Sequence, residues 1–258
     1  MPDRFRVLVF SSAPARHLEH LCRRLAADLD AVQVVGILHE RRPVAPSPWR
    51  IAIRRARAGK GDRSLVRFAA QGMLEGLDDR VGEAATRMLH RAERTTRSLP
   101  RTLEEAAEAM RAQGTDFMFT DDIHGRDELR FVQSLRPDLG VVFGARVLKD
   151  HLHSAPRFGS INSHQHELPD YRGSGPPGLW ELQDGRESLT VAAHIVTSAV
   201  DGGDVLDRRT IPIEHSDSLS SLELKANLVG VDGLVASVGR IATSGDRLTG
   251  RDSPTAVR

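Results

Sequence analysis

Residues 158–164 read Phe-Gly-Ser-Ile-Asn-Ser-His, and residues 167–173 read Glu-Leu-Pro-Asp-Tyr-Arg-Gly. The first stretch predicts a short strand, and the proline and glycine of the second predict a loop after it. Asn162 and His164 are two residues apart, so both side chains lie on one face of the strand. An amide N–H can stabilise an oxyanion, and an imidazole can move a proton near neutral pH. This pairing at a strand end suits acyl-transfer chemistry.

The first forty residues predict a β-α-β unit. Residues 6–10 are mostly apolar, which is typical of a strand covered on both faces. Leucines recur at helical spacing after Pro14, and residues 32–38 predict the second strand. A right-handed crossover favours a Rossmann-like, mostly parallel sheet with helices on both faces. The turn at residues 11–14 contains no glycine, so it does not indicate a glycine-rich phosphate loop.

The following segments continue the alternation of helices and strands. Residues 145–148 follow a strongly apolar strand, at the edge where open α/β sheets bind ligands. The predicted helices are 103–112 (N-capped by Thr102), 128–135, a turn at 149–153, a short helix from 179 to near 185, and 219–241, with Gly230 and Gly233 as candidate interruptions. The predicted strands are 116–120, 138–144, 189–200 and one further antiparallel strand within 205–213.

The length of 258 residues predicts one domain, residues 1–245, followed by a flexible tail at 246–258. A helical, arginine-rich insertion is predicted at about 43–100. Its basic residues favour either RNA or polyphosphate binding or a solvated helix face. Few aromatic residues interleave with the arginines, which weakens the case for stacking on single-stranded nucleic acid.

Composition excludes several other classes. Cys22 is the lone cysteine, so an internal disulfide and a cysteine-based zinc site are excluded, and the residue is interpreted as a small buried hydrophobe. No run of about 18 apolar residues predicts a membrane span, and the N-terminus lacks a signal-peptide pattern. The expectation is a cytoplasmic protein with no membrane partner, and the net charge of +1 implies no particular partner.

Four pieces of sequence hold together across residues 138–206. They are Asn162-Ser163-His164, Leu168-Pro169, Tyr171-Arg172-Gly173, and His194 seven residues ahead of Asp201-Gly202-Gly203. Together they resemble the folate-dependent formyltransferase family, which includes methionyl-tRNA, glycinamide ribonucleotide and sugar N-formyltransferases. The resemblance implies the formyltransferase fold and transfer of a formyl group from 10-formyltetrahydrofolate to an amine.

The resemblance also implies roles for particular residues. Asn162, His164 and Asp201 would form the catalytic trio, with Asn162 donating to the oxygen that gains charge. His164 and Asp201 are the groups that would handle the proton. Folate would lie against the backbone of residues 146–148 and 195–201. The acceptor would lie near the loop at residues 167–173. The implied cofactor-binding residues are Arg146, Val147, Leu148, Ile195, Val196 and Val200, and the implied substrate-binding residues are Tyr171 and Gly173.

The residues leave a metal site as an alternative. His164 and His166, with Asp201, could bind zinc in a hydrolase site if both histidines pointed to one side of the strand. Pro169 and its loop suggest that the strand ends near His164 and that His166 diverges, so no metal is expected. His194 is interpreted as a structural residue inside a strand.

Departures from the family pattern narrow the expected acceptor. A tRNA acceptor, as in methionyl-tRNA formyltransferases, is not favoured, because only one helix follows the catalytic motifs where those enzymes carry an RNA-contacting domain, although the basic insertion could partly substitute for it. The turn at residues 11–14 disfavours glycinamide ribonucleotide, and residues 189–192 read Leu-Thr-Val-Ala where relatives often have Thr-Gly-Val-Thr. The expected function is N-formylation of a small amine, such as an amino sugar or a specialised metabolite. Hydrolysis of 10-formyltetrahydrofolate and a non-catalytic folate- or RNA-binding module remain as alternatives, nucleic acid is disfavoured as a partner, and a homodimer is left open.

Overall fold

The fold is taken from a computed structural model, which describes residues 4–41, 102–173 and 175–245. The predicted insertion at about 43–100 and the predicted tail at 246–258 lie outside the described residues. None of the helices in the described ranges is both long enough and apolar enough to cross a membrane.

Strands and helices alternate along the described chain. The strands are β1 (Phe5–Ser11), β2 (Val32–Glu40), β3 (Asp116–Thr120), β4 (Leu139–Phe143), β5 (Ser160–His164), β6 (Ser188–Ile195) and β7 (Val205–Pro212). The helices are α1 (Ala15–Asp28), α2 (Leu103–Arg111), α3 (Arg126–Ser134), α4 (Asp150–His153), α5 (Leu179–Gln183) and α6 (Leu219–Ser244).

The described strands form one sheet in the order β3-β2-β1-β4-β5-β6-β7. The five strands from β3 to β5 in this order are parallel to one another. Strand β6 pairs antiparallel with both β5 and β7. This confirms the predicted Rossmann-like, mostly parallel sheet. The chain moves outward from β1 to β3 and then returns to the other side of β1 with β4. Such a reversal opens a crevice at the carboxyl ends of the flanking strands, where open α/β sheets bind ligands.

The apolar run of β1 is buried on both faces. Val7 and Val9 contribute to the core that includes side chains of α1 and α6. Leu8 and Phe10 contribute to the opposite core, together with side chains of α3 and α4. Helices therefore cover both faces, which explains why β1 shows no polar alternation.

Helix α6 is continuous from Leu219 to Ser244, so the predicted interruption at Gly230 or Gly233 is wrong. A Cβ at Gly230 would lie 2.5 Å from Oγ of Ser163 on β5, and one at Gly233 would lie 3.1 Å from Oδ1 of Asp207 on β7. The glycines therefore let the helix approach the sheet closely instead of ending it. Ser218 begins the helix with a capping box.

Strand β6 ends at Ile195, so the predicted strand over residues 189–200 is too long. Its pairing with β5 ends at the Ile161–Ile195 pair, and its pairing with β7 ends at the His194–Val205 pair. Beyond these pairs the backbone has no continuous partner in the sheet. Residues 196–200 therefore leave the sheet and form one wall of the crevice.

Cys22 packs, partly buried, against the core on the α1 side. Burial, with a smaller contribution from Glu19, raises the pKa of its thiol to about 12. A thiol in this state is protonated and unreactive at neutral pH, in keeping with its interpretation as a small hydrophobe.

Candidate active site

A crevice of ≈ 1410 Å³ opens at the carboxyl edge of the sheet. It is lined by the turn after β1, the loop after β4, the end of β5 and the residues that follow β6. Gly144, at φ +67, brings the loop after β4 against Ala13 in the turn after β1. The crevice lies at the reversal in strand order, where the topology predicts a ligand site.

Asn162, the middle residue of β5, lines this crevice and is held there by His194. The two residues are direct partners across the β5–β6 pair, and Nδ2 of Asn162 lies 3.1 Å from Nε2 of His194. Nδ1 of His194 lies 2.9 Å from the Ile195 carbonyl oxygen, which can only accept. In the neutral imidazole Nδ1 therefore carries the proton, and Nε2 accepts an N–H of Asn162. The second N–H of the Asn162 amide remains available to a ligand.

His164 is buried beside Asn162 at the end of the same strand. Nε2 lies 2.7 Å from the Tyr171 carbonyl oxygen, so Nε2 donates and carries the proton of the neutral ring. Burial lowers the pKa of His164, as do His166 and His194 to a smaller extent, against the opposing effects of Asp201 and the Tyr171 carbonyl. His164 is therefore neutral near pH 7 and can accept a proton at Nδ1.

Asp201 closes the site from the loop after β6. Its Oδ2 lies 3.6 Å from Nδ1 of His164, its Oδ1 lies 3.5 Å from Nε2 of His194, and Oδ2 accepts a 2.8 Å hydrogen bond from the Gly173 N–H. Burial alone raises the pKa of Asp201, but His194, His164 and the Gly173 N–H outweigh burial and lower it. The carboxyl is thus ionised, and the structure brings all three residues of the predicted trio together.

Residues from two loops line the neighbouring part of the crevice. Val147 and Val200 are the exposed large hydrophobic side chains of the described ranges, at 64% and 46% exposure, and both border the crevice. Leu148 and Val196 also line it, whereas Ile195 does not. An apolar ring system that covered the two valines would remove apolar surface from water. This part of the crevice therefore fits a flat, partly apolar ligand such as a folate.

The side chain of Arg146 is directed to Glu40 at the end of β2. Nη2 and Nε of the guanidinium lie 2.8 and 3.0 Å from the two carboxylate oxygens of Glu40, which is fully buried. A two-pronged pair of this kind fixes the loop after β4, whose residues 145–148 line the crevice.

The loop after β5 contributes to the site through its backbone. Gly173 lines the crevice and donates to Asp201, while Tyr171 contributes the carbonyl group that holds His164. The phenol of Tyr171 points outward and donates to Oδ2 of Asp184 at 2.6 Å. The structure therefore places the backbone, not the ring, of Tyr171 at the site.

His166 lies beyond the end of β5 at His164 and still lines the crevice, but its ring is held by α5. Its Nδ1 lies 3.0 Å from Oε1 of Glu181 in α5, and both residues are buried. In the described part of the chain, no group of three or more histidine, cysteine, aspartate or glutamate side chains is arranged to hold a metal ion.

His194 is a site residue for which the sequence predicted only a structural role inside a strand. It is buried, at 2% exposure, yet its ring contacts both Asn162 and Asp201. The signal was its position: a histidine on β6 directly opposite Asn162 in an antiparallel pair must share that face.

Comparison with known proteins agrees with this geometry. Residues 90–238, more than half of the chain, match the family model described as formyl transferase. A methionyl-tRNA formyltransferase of Chlorobium luteolum is 34% identical over 111 residues, which cover 43% of this chain and 35% of that protein. Matches to three such relatives span from 35% to 44% of their lengths.

Solved structures share the fold. Glycinamide ribonucleotide transformylase 1 of Symbiobacterium toebii superposes with a TM-score of 0.62 at 14% identity, covering 95% of this chain and 90% of that one. A formyltetrahydrofolate deformylase of Pseudomonas syringae pv. tomato has a TM-score of 0.62 at 13% identity, covering 94% of this chain and 63% of that one. At these identities the likeness concerns the fold alone, whereas the family match at residues 90–238 includes the three predicted catalytic residues and the crevice wall formed by the loop after β4. The chain belongs to the formyl transferase family.

Proposed function

We propose that this protein is an N-formyltransferase that moves a formyl group from 10-formyltetrahydrofolate to the amine of a small molecule, in the cytoplasm. The observation that carries the proposal is the convergence of Asn162, His164 and Asp201 at one end of β5, with His194 holding the asparagine. An amide donor, a neutral imidazole and an ionised carboxylate are the groups that amine acylation requires.

When bound, 10-formyltetrahydrofolate supplies the formyl carbon: its bond to the donor nitrogen breaks, a bond to the acceptor nitrogen forms, and one proton passes from acceptor to donor. The free N–H of Asn162 stabilises the formyl oxygen as it gains negative charge. Nδ1 of His164 takes the proton from the acceptor nitrogen. The nearby Asp201 carboxylate stabilises the charge that the imidazole then carries.

The crevice supports binding of two molecules at once. Its ≈ 1410 Å³ exceeds the roughly 300–1,000 Å³ typical of a pocket for one small ligand. The valine-bordered part suits the folate donor. The part beyond the trio is lined by His17 of α1 and by Glu223 and Asn227 of α6.

Glu223 supports an acceptor that carries hydrogen-bond donors. Burial raises the pKa of its carboxyl, and Arg16 partly opposes this effect. A carboxyl group on the wall of a crevice accepts hydrogen bonds from hydroxyl and amino groups and disfavours a phosphate beside it. An amino sugar or a similar hydroxylated amine has this chemistry, and a phosphorylated acceptor does not.

The test is transfer of an isotope-labelled formyl group from 10-formyltetrahydrofolate to a panel of amines, followed by mass spectrometry of the products. The panel contains hydroxylated amines with and without a phosphate, and a tRNA carrying methionine. We expect formylation of a hydroxylated, unphosphorylated amine. Asn162→Ala is expected to reduce turnover by about 10²–10³-fold, the usual cost of losing one oxyanion donor.

His164→Gln and Asp201→Asn should also reduce turnover strongly while the fold is retained, because each removes a group that accepts or stabilises the transferred proton. The matched control is His215→Asn, a substitution of an exposed histidine outside the crevice. Wild-type turnover in any of the three site variants would remove that residue from the mechanism. Release of formate without any amine would instead assign a hydrolase, and salt-sensitive RNA binding that Asp201→Asn leaves unchanged would indicate an RNA-binding module.

A further inference from the structure

A buried histidine–glutamate pair lies directly behind His164. His166 and Glu181 are 2% and 1% exposed, and Nδ1 of His166 lies 3.0 and 3.2 Å from the two carboxylate oxygens of Glu181. The ring of His166 is 5.4 Å from that of His164, centroid to centroid. Burying a carboxylate with an imidazole costs free energy unless both are well hydrogen-bonded. The chemistry described above does not use this pair.

The pair connects the end of β5 to α5 and to the loop between them. Nε2 of His166 lies 3.4 Å from the carbonyl oxygen of Gly175, near the end of that loop. Gly175 in turn packs so closely on the indole of Trp180 that no Cβ would fit. Glu181, the next residue in α5, holds the other side of the His166 ring. One buried contact thus fixes three segments relative to one another.

Other contacts between the loop and α5 are exposed. The Tyr171 hydroxyl donates to Asp184, and Arg186 pairs with Asp170 at 3.1 Å, both at the surface. Exposed pairs of this kind contribute little to stability, because solvent screens them. The start of the loop is held separately by Leu168, which is 2% exposed and whose carbonyl oxygen accepts a 3.0 Å hydrogen bond from Nη2 of Arg208. The end of the loop at Gly175 depends mainly on the buried His166–Glu181 anchor.

The loop acts on the site through two backbone groups. The Tyr171 carbonyl fixes the proton of His164 on Nε2, and the Gly173 N–H holds Oδ2 of Asp201. Because these are main-chain groups, their placement depends on where the loop lies and little on the side chains at 171 and 173. We propose that the His166–Glu181 pair is the positioning unit of this active site: it anchors the loop at Gly175 so that the backbone of residues 167–173 sets the tautomer of His164 and the orientation of Asp201. This inference rests on the N-formyltransfer proposed above.

The charges around His164 predict the direction of the effect. The groups that face its ring are Asp201, the Tyr171 carbonyl, His166 and His194, and burial is the largest cause of its lowered pKa. If the loop detaches, water reaches the ring and removes that largest cause. The pKa of His164 should then rise toward its ordinary value, and the ring should exchange between its two neutral tautomers.

The experiment compares the full-length protein with Glu181→Ala, Glu181→Asp and Glu181→Gln by ¹⁵N nuclear magnetic resonance of histidine-labelled samples, with His164 assigned from the His164→Gln spectrum. Alanine removes the acceptor, and aspartate withdraws the carboxylate by one methylene. Glutamine keeps an acceptor oxygen on a side chain of the same length, so the spectrum of Glu181→Gln should match that of the wild type. We expect a tautomer mixture and a raised titration midpoint for His164 in the alanine and aspartate variants. Turnover in the alanine variant should fall, by up to about 10²-fold, mainly in kcat.

The control is Asp217→Asn, which alters another buried carboxylate, 5% exposed and bonded to Lys225 at 2.8 Å, outside the crevice lining. It should change stability without changing the His164 signals. Unchanged His164 signals in Glu181→Asp would overturn the proposal. A tautomer mixture and raised midpoint of His164 in Asp217→Asn would overturn it as well. If Glu181→Ala does not fold, the result for Glu181→Asp decides. The spectra require no reaction. If the wild-type protein transfers no formyl group but the Glu181 variants show the expected His164 shifts, only the proposed function is contradicted.

Discussion

His164 is the residue whose ionisation should control the rate. Burial lowers its pKa below the ordinary value of 6.5, so the proton-accepting form predominates at neutral pH. We expect kcat/KM to rise with pH through a midpoint below 6.5 and then to level off. Asp201→Asn removes a negative charge that raises the pKa of His164, so the midpoint of the residual activity should move to still lower pH. The pH–rate profiles of the two proteins, with His215→Asn as the control, check this expectation.

The same residue links pH to stability. In the unfolded chain His164 takes up a proton near pH 6.5, whereas in the folded protein it does so only at lower pH. The unfolded state therefore binds more protons in that window, and the free energy of unfolding falls as pH drops below 6.5. His164→Gln should make this fall shallower. Two results would contradict a buried, neutral imidazole at His164. One is a midpoint above 6.5 in the pH–rate profile, and the other is an unchanged pH dependence of the free energy of unfolding in His164→Gln.

At the residue scale the sequence predicted that Asn162, His164 and Asp201 come together, but it did not predict the side chains and backbone groups that hold them. Asn162 and His164 could be placed on one face because strands alternate with period two. The role of His194 needed the register of β5 against β6, which the sequence of neither strand specifies alone. The outward direction of the Tyr171 ring was likewise unpredictable, because it depends on Asp184 in another segment.

At the scale of elements, the packing of α6 on β5 gives a prediction about Gly230. Replacing glycine by alanine inside a helix usually gains about 1 kcal/mol. At Gly230 the new Cβ would lie 2.5 Å from Oγ of Ser163, so we expect Gly230→Ala to lose stability and to disturb the strand that carries Asn162 and His164. Free energies of unfolding in urea, with turnover measured on the same samples, check this.

Gly239 provides the matched control in the same helix, because a Cβ there would meet the flexible end of Leu29 at 3.0 Å. Gly239→Ala should therefore be the milder substitution. Adding Ser163→Ala to Gly230→Ala removes the clashing oxygen, and the double variant should recover the lost stability. Equal stability of the two glycine variants, with no recovery by Ser163→Ala, would show that α6 does not need its close approach to β5.

The elements that the sequence predicted well carry their own local signals. Thr102 and Glu105 form a complete capping box at the start of α2, and residues 116–120 form β3 at the predicted bounds. The errors lie where tertiary contacts decide. Residues 196–200 are as β-rich as those before them, but after the Val196 N–H, which donates to the Ser160 carbonyl, no strand in the described part of the chain pairs with them. Gly230 and Gly233 look like helix breaks until the sheet beneath them is known.

At the scale of the whole molecule, the position of the crevice follows from the strand order. β1 and β4 are separated by more than a hundred residues yet are neighbours in the sheet, with the order reversing between them. The loops that follow the carboxyl ends of β1 and β4 therefore run away from each other, and the crevice lies between them. Sequence placed the loop at 145–148 at this edge, but the adjacency of β4 to β1 came from the fold.

This geometry predicts which backbone segments a donor analogue should protect. A non-reactive analogue of 10-formyltetrahydrofolate should slow hydrogen exchange at residues 144–148, 167–173 and 196–203, because all three segments border the crevice or hold its residues. The turns at 29–31 and 136–138 lie at the opposite edge of the sheet and should exchange as in the free protein. Val200→Asp places a charge where the apolar part of the analogue would lie, so it should weaken binding and abolish the protection. Protection confined to the opposite edge, or analogue binding unaffected by Val200→Asp, would place the donor elsewhere and would separate the trio from the folate chemistry assigned to it.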